Sequence, residues 1–356
     1  MYQDIINTLR GYRQTMGTVG RLLMFRQMAI WKLASVPFNL AAYLLNRPPP
    51  FLPPILQLDI TDLCNLQCPG CLTGMGYNRD RQGMMPFAAF KSLIDEVGPS
   101  TAVAILYNSG EPLLHPRCLE MIRYLTDNNI ASIISTNGHF ISSREEGEAL
   151  VSAGLSVMIV SLSGADQNTY ERYHRGGRLD RVLAGVRYIK AARERRRKKV
   201  PIIIFRFLIM EHNIHEIDAM TRLAKNAGCD WFEFRKVNWR ACMIEAPPEP
   251  VPEGGMIPGR DIDRHCLWPW LISVVNWDGN AYPCCFYRLN LPGMGNTNTG
   301  GLGTIWKSDA YNRFRTQMRS GHDRPAACRD CPAETGFQTR FSSRNRTVYL
   351  YRSRYE

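Results

Sequence analysis

Between residues 55 and 237, short apolar runs alternate with segments whose apolar positions recur every three or four residues. Ile55–Ile60, Ala102–Tyr107, Ala131–Ser135, Val157–Leu162, Pro201–Met210 and Trp231–Val237 have the length and side chains of buried strands. Phe87–Val97, Arg117–Asp127, Arg144–Ala153, Leu179–Arg195 and His215–Ala227 read as helices between them. Strand–helix alternation implies parallel pairing, in a barrel or an open α/β sheet. Six units are visible, short of the eight in a full barrel.

The flanks read differently. Residues 1–50 are helical in pattern, and Gly20–Leu45 is strongly apolar but broken by Arg21, Arg26, Lys32 and Pro37. Three cations and a proline argue against a spanning helix. Two readings stay open for residues 20–45: a helix packed on the main domain, or an amphipathic segment in peripheral contact with a membrane. Pro48–Pro50, Pro53 and Pro54 form a stiff linker. After Asn238 the texture changes, and the prolines and glycines of Ala246–Pro258 mark a boundary. From about Asp261 the chain is expected to be loop-rich, with Cys266, Cys284, Cys285, Cys328 and Cys331 holding metal in place of a large core. The expected division is a helical extension at 1–50, a main domain at 51–240 and a Cys-rich domain with a basic tail at 241–356.

Composition adds class and compartment. Of 356 residues 45% are hydrophobic and 21% charged, which is globular. Eleven cysteines in clusters, with no secretory signal over Met1–Arg10, point to a reducing, cytoplasmic setting where close-spaced Cys are metal ligands or reactive thiols. The net charge of +12 concentrates in Arg193–Lys199 and at Arg340, Arg344, Arg346, Arg352 and Arg354. These read as a solvated helix end and a charged tail, or as attraction to an acidic partner. Aromatics do not interleave with the basic run, so nucleic acid is not expected.

The sharpest signal is Cys64-x3-Cys68-x2-Cys71, directly after the first strand. Structural zinc normally takes four protein ligands, and no fourth Cys or His follows before His115. Three thiolates on a four-iron cluster leave one iron open, a catalytic arrangement. Over roughly residues 55–237 this loop and its surroundings resemble the radical S-adenosylmethionine (radical SAM) superfamily. The resemblance implies a partial (β/α)6 TIM-like barrel and a 4Fe–4S cluster whose open iron is chelated by the amino and carboxylate groups of SAM. It also implies an external one-electron reductant, flavodoxin- or ferredoxin-like, and cleavage of SAM to a 5′-deoxyadenosyl radical.

Three further segments follow in order at strand ends. Asn108-Ser109-Gly110-Glu111-Pro112 resembles the family's Gly-Gly-Glu-Pro motif, with glycine allowing close backbone approach and Glu111 accepting from the SAM ammonium. Ser135 and Asn137 close the third strand, where polar side chains suit the ribose hydroxyls, and Ser161 and Ser163 close the fourth. There are departures: Gly70 stands where the family often has an aromatic, Ser109 replaces a glycine, and Ser163 stands where Asp is frequent. The role of that Asp does not transfer.

The second group, Cys266-x12-Gly279-x4-Cys284 followed by Cys328-x2-Cys331, resembles the SPASM or twitch extensions that bind auxiliary 4Fe–4S clusters. It has ligands for one cluster, Cys266, Cys284, Cys328 and Cys331, with Cys285 as an alternative to Cys284 and zinc as the alternative metal. Cys118, Cys229 and Cys242 read as core residues. On the sixth strand, Phe232 and Phe234 suit the helix-facing side, so Glu233 and Arg235 point inward. They are either substrate-pocket residues or a structural ion pair.

The function so implied is hydrogen abstraction from a small molecule, sugar-like or lipid-like, with the auxiliary cluster as electron acceptor. A peptide-modifying maturase is the alternative, less favoured because residues 1–50 do not look like a peptide-docking domain. A non-enzymatic metal-stabilised binding module is the third.

Overall fold

A computed structural model describes residues 30–77, 79–236, 266–286, 291–320, 323–325, 328, 338–342 and 348–351. The six apolar runs form β1 (Ile55–Asp59), β2 (Val103–Ile105), β3 (Ala131–Thr136), β4 (Val157–Leu162), β5 (Ile202–Ile209) and β6 (Trp231–Lys236). They pair in chain order and all in parallel. Alternation gives each strand two faces. Ile203, Phe205 and Phe207 of β5 are enclosed in the core beneath the helices, whereas Ile202 and Ile204 join Val103, Ala131, Val157 and Ile159 in a separate inner cluster.

The helical expectations hold closely. With α1 (Ser35–Leu44) at the N-terminal side, the helices around the sheet are α2 (Phe87–Val97), α3 (Cys118–Asp127), α4 (Arg144–Ala153), α5 (Gln167–Tyr173), α6 (Leu179–Arg195) and α7 (Ile217–Ala227). Ser143 starts α4 through a capping box with Glu146, and Gly154 ends it at φ +87°. Only α5 goes unpredicted, because seven residues are too few to show a helical period. At the C-terminal end of α6 Arg193 pairs with Asp230, and Arg195 and Arg196 both pair with Glu148, while Arg197–Lys199 stay exposed.

The expectation of a loop-rich Cys-containing region fails between 266 and 320. This stretch folds as α8 (Trp268–Leu271), β7 (Ile272–Asn276), β8 (Asn280–Tyr282), β9 (Gly295–Asn296), α9 (Thr297–Lys307) and α10 (Asp309–Ser320). β7 lies parallel to β1, Ile55–Asp59 against Ile272–Asn276, and β8 and β9 continue antiparallel. At the opposite edge β10 (Gln338–Ser342) pairs antiparallel with β6, and β11 (Val348–Tyr351) pairs antiparallel with β10. The α9 pattern was hidden by Gly300, Gly301 and Gly303. The helix is broken at Gly301 (φ 70°) and restarts because Glu96 of α2 accepts from the backbone N–H of Leu302 (2.8 Å) and Gly303 (2.7 Å). That cap comes from more than 200 positions away, so no local pattern records it.

α1 follows one 3-10 turn, Ile30–Ala34, and packs at the N-terminal ends of the strands. Leu33 rests on the inner apolar cluster, the Lys32 ammonium donates to Asn128 O (2.6 Å) and Tyr43 meets Trp270 edge-on at 5.1 Å. Pro53 and Pro54 are tied down by the Thr101 hydroxyl and the Ala102 N–H. Among the described residues no helix is long and apolar enough to cross a membrane.

Candidate active site

The loop after β1 brings Cys64, Cys68 and Cys71 together at the C-terminal end of the sheet, close enough that their charges act on one another. Burial pushes the Cys64 thiol up to about 11, and the charges of Glu111 and Cys71 add to it. The Cys68 thiol is raised further by burial and by both neighbouring thiols. Two thiols, Cys64 and Cys68, that resist ionisation beside a third sulfur are a poor bare site and a good one for a polycation, which reverses that cost. Two donors already point at the sulfurs: Asn137 Nδ2 lies 3.8 Å from Cys64 Sγ, and His174 Nδ1 lies 3.8 Å from Cys68 Sγ.

The Gly110–Glu111 segment is pressed against this loop. A Cβ on Gly110 would sit 2.4 Å from Thr61 O and 2.6 Å from Leu63 O, so the glycine is required by the cysteine loop itself. Glu111 N–H donates to Leu63 O (2.8 Å). The Glu111 carboxylate is 2% exposed and accepts from Leu113 N–H, the Thr136 hydroxyl (2.7 Å) and Asn137 N–H (2.7 Å). It therefore straps the ends of β2 and β3 together, with one acceptor position on Oε2 left for a ligand. Burial outweighs these donors and raises it to about 7. Thr136 was not singled out from the sequence, since a threonine at a strand end carries no signal of its own.

Asn137 holds the cysteine loop through Asn65 (2.8 Å), and Ser163 is fully enclosed with its hydroxyl 3.0 Å from His174 Nε2. His174 was also missed. Burial pushes it down to about 3, so the ring is neutral. The neutral ring bridges the Ser163 hydroxyl at Nε2 and Cys68 Sγ at Nδ1, and in the tautomer protonated at Nδ1 it donates toward Cys68.

Ser135 and Ser161 share the inner face with Asp59, Tyr107, Arg206 and Glu233, a polar layer above the apolar one. Arg206 Nε lies 3.6 Å from Glu233 Oε1, and Tyr107 is its second partner. Burial works to lower the guanidinium pKa, but Glu233 and Tyr107 outweigh it and hold Arg206 charged. Phe232 and Phe234 take the helix side as expected, whereas the Arg235 side chain lies outside the described residues. Arg206 had a readable signal: it is the lone charge in the apolar run of β5.

Cys266, Cys284 and Cys328 line a single apolar cavity walled by Trp268, Phe286 and Phe314. The β7–β8 hairpin makes this possible, turning at Gly279 (φ +88°), where a Cβ would strike Asn298 Nδ2 at 2.5 Å. Burial and the Cys284 charge raise the Cys328 thiol to about 12. Next to the cavity, Arg315 stacks on Trp306 and Tyr311 and donates to Pro269 O (2.8 Å), yet its Nη2 is buried without a hydrogen-bond partner. Cys331 lies outside the described residues. Cys285 does not line the cavity; its carbonyl accepts from Asn108 Nδ2 (3.1 Å), which joins the two cysteine regions. Cys118 and Cys229 are core residues at 2% and 1% exposure, and Cys242 falls outside the described residues.

Two family models match this architecture: the radical SAM superfamily over residues 58–224 and the SPASM iron–sulfur cluster-binding domain over residues 266–332. The chain belongs to the radical SAM superfamily and carries a SPASM segment. The matched regions are a SAM- and 4Fe–4S-binding domain and an iron–sulfur cluster-binding segment. The chain is 30% identical over 178 residues to the AdoMet-dependent heme synthase of Methanosarcina barkeri, a match covering 49% of this chain and 48% of that protein. The chain thus spans about half the length of that relative. It is 23% identical to the tungsten-containing aldehyde ferredoxin oxidoreductase cofactor-modifying protein of Pyrococcus furiosus, over 73% of this chain and 82% of that one. Among solved structures, Streptococcus suis SuiB bound to precursor peptide SuiA shares the fold at a TM-score of 0.62 and 14% identity, covering 85% of this chain and 74% of that one.

Three outcomes follow from the first site. Glu111→Gln is expected to weaken SAM binding about ten- to hundredfold with iron content unchanged, since a charge-assisted hydrogen bond contributes about 1.5–3 kcal/mol. The same variant has a pH signature. Because the folded-state pKa is raised, the fold favours the protonated carboxyl, so its contribution is complete below about 4.5 and lost as pH rises through about 7. Gln is expected to flatten that slope in chemical-denaturation curves of the apoprotein. His174→Phe removes an N–H donor to Cys68 and is expected to lower the reduction potential of the reconstituted cluster by about 40 mV, from a bond of about 1 kcal/mol. An EPR-monitored redox titration reads this, and an unchanged potential would leave His174 only a packing role.

Proposed function

We propose that Cys64, Cys68 and Cys71 hold the SAM-cleaving cluster, and that Cys266, Cys284, Cys328 and Cys331 hold one auxiliary 4Fe–4S cluster. In this reading residues 51–240 are the catalytic domain and 241–356 the auxiliary one. Bound together, these groups supply a 5′-deoxyadenosyl radical that takes a hydrogen atom from a small organic substrate. The chain's own part is to hold and enclose that substrate. Glu111 and Asn137 order the cysteine loop, Ser135 and Ser161 face the SAM side, and Arg206 with Glu233 grips polar groups of the substrate. An auxiliary cluster held by Cys266, Cys284, Cys328 and Cys331 would supply a one-electron acceptor beside the substrate, which is the chemistry a net two-electron oxidation needs after hydrogen abstraction.

The observation that carries this reading is the enclosed, charged Arg206–Glu233 pair on the inner face of the barrel strands. The names of the two relatives, a heme synthase and a cofactor-modifying protein, also favour a small molecule. The test is anaerobic turnover of reconstituted enzyme with SAM, reductant and deuterated candidate substrates. Deuterium is expected in 5′-deoxyadenosine, and Arg206→Met is expected to cut product about ten- to hundredfold while SAM cleavage persists. Deuterium transfer from peptides alone would replace this reading with the maturase one.

A further inference from the structure

The helix α1 is inside out. Its polar side chains face the protein: Lys32 donates to Asn128 O, Ser35 Oγ to Lys32 O (2.9 Å), and Asn39 Nδ2 to Phe51 O (3.2 Å) and Trp270 O (3.1 Å). Lys32, Ser35 and Asn39 are all buried. Every exposed residue from Trp31 to Leu45 is apolar, namely Trp31, Ala34, Pro37, Phe38, Ala41, Leu44 and Leu45. Trp31 and Leu45 are 71% exposed and Phe38 55%, and Phe51 lies against Phe38 with ring centroids 5.4 Å apart. Scattered exposed apolar residues need no explanation, but a whole helix face of them does. An ordinary surface helix turns this face inward.

We propose that this face docks on an anionic lipid surface. Charge supports that occupant over a second copy of the chain. Besides the buried Lys32, the sequence of residues 1–54 carries Arg10, Arg13, Arg21, Arg26 and Arg47 against a single acid, Asp4. Two copies brought together through this region repel, whereas anionic headgroups attract it. Trp31 and Arg47 also suit the chemistry of an interface, where an indole sits at headgroup level and a guanidinium reaches water. The apolar band is one helix wide, which fits shallow insertion and no crossing.

The placement has a consequence for access. α1 lies at the N-terminal ends of the strands, through Leu33 and the Lys32–Asn128 contact, while the Cys64–Cys71 loop follows the C-terminal end of β1. A bilayer on α1 leaves the Cys64–Cys71 end of the sheet farthest from lipid. The enzyme is held at the membrane while its substrate arrives from water.

The test is flotation of the full-length protein with vesicles of phosphatidylcholine alone or mixed with phosphatidylglycerol. The parent is expected to float with the mixed vesicles at low salt and to be released at high salt. Phe38→Ser combined with Leu45→Ser is expected to weaken partitioning by more than about tenfold, since each removes an exposed apolar side chain that lipid would cover. Both positions are exposed, so iron content and SAM cleavage should match the parent and show that the variant folds. Equal flotation of parent and variant would assign lipid binding to residues 1–29 and overturn the role of this face. A parent that does not float, but is a dimer the double variant makes monomeric, would assign the face to a second copy. Absence of both effects overturns the proposal as well.

Discussion

Replacing Cys64, Cys68 and Cys71 together by Ala is expected to halve the iron, from about eight to about four per chain, and to abolish SAM cleavage. The expectation rests on the separateness of the two groups. The first sits on a loop braced by Gly110, Glu111 and Asn137, while the second lines a cavity walled by Trp268, Phe286 and Phe314. Removing the first set leaves the second untouched, because the sheet between them is held by its own ladder and core. Iron and sulfide counts with a 5′-deoxyadenosine assay read both outcomes. Iron remaining near eight would show that other residues hold the first cluster, and zinc near one equivalent with four irons would reassign the second site.

Cys328→Ala with Cys331→Ala is expected to separate two events that normally occur together. SAM cleavage continues, since its loop and strand-end residues are elsewhere, but product falls by about a hundredfold or more because the substrate radical loses its electron acceptor. Deuterium from labelled substrate should still reach 5′-deoxyadenosine. The competing view is that metal merely holds the Cys-rich segment in place, so that its loss unfolds the protein and abolishes both activities. The structure weighs against that view. The segment is anchored independently of the cysteines, by the β1–β7 ladder, by Glu96 on α9, and by Arg315 donating to Pro269 and Trp306 carbonyls. A soluble variant that makes product at the parental rate would exclude both accounts.

Legibility differed sharply along the chain, for a physical reason. The six strands and five long helices between 55 and 237 were readable because each buries a face, and burial imposes a period of two or 3.6 on the residues themselves. The cysteine loop was readable because a polynuclear site needs thiols at close spacing on one turn of chain. Cys266, Cys284 and Cys328 are far apart along the chain and were grouped only through a family resemblance; the fold brings them to one cavity.

Only the tertiary structure decided the rest. Arg206 gains meaning from Glu233 on the neighbouring strand, and His174 from Cys68, 106 positions away. Glu111 looked like a ligand for SAM and is first a strap between two strand ends, because its donors come from Thr136 and Asn137. α9 was hidden behind its glycines until Glu96 supplied a cap from another helix. The apolar residues of 20–45 allowed either packing or lipid contact, since hydrophobicity alone does not say which face turns inward. Over residues 31–45 the hydrogen bonds of Lys32 and Asn39 fix which face turns inward, the polar side in and Trp31, Phe38 and Leu45 outside. Periodic burial is written into the order of residues, whereas contacts between distant side chains exist only once the chain has closed on itself.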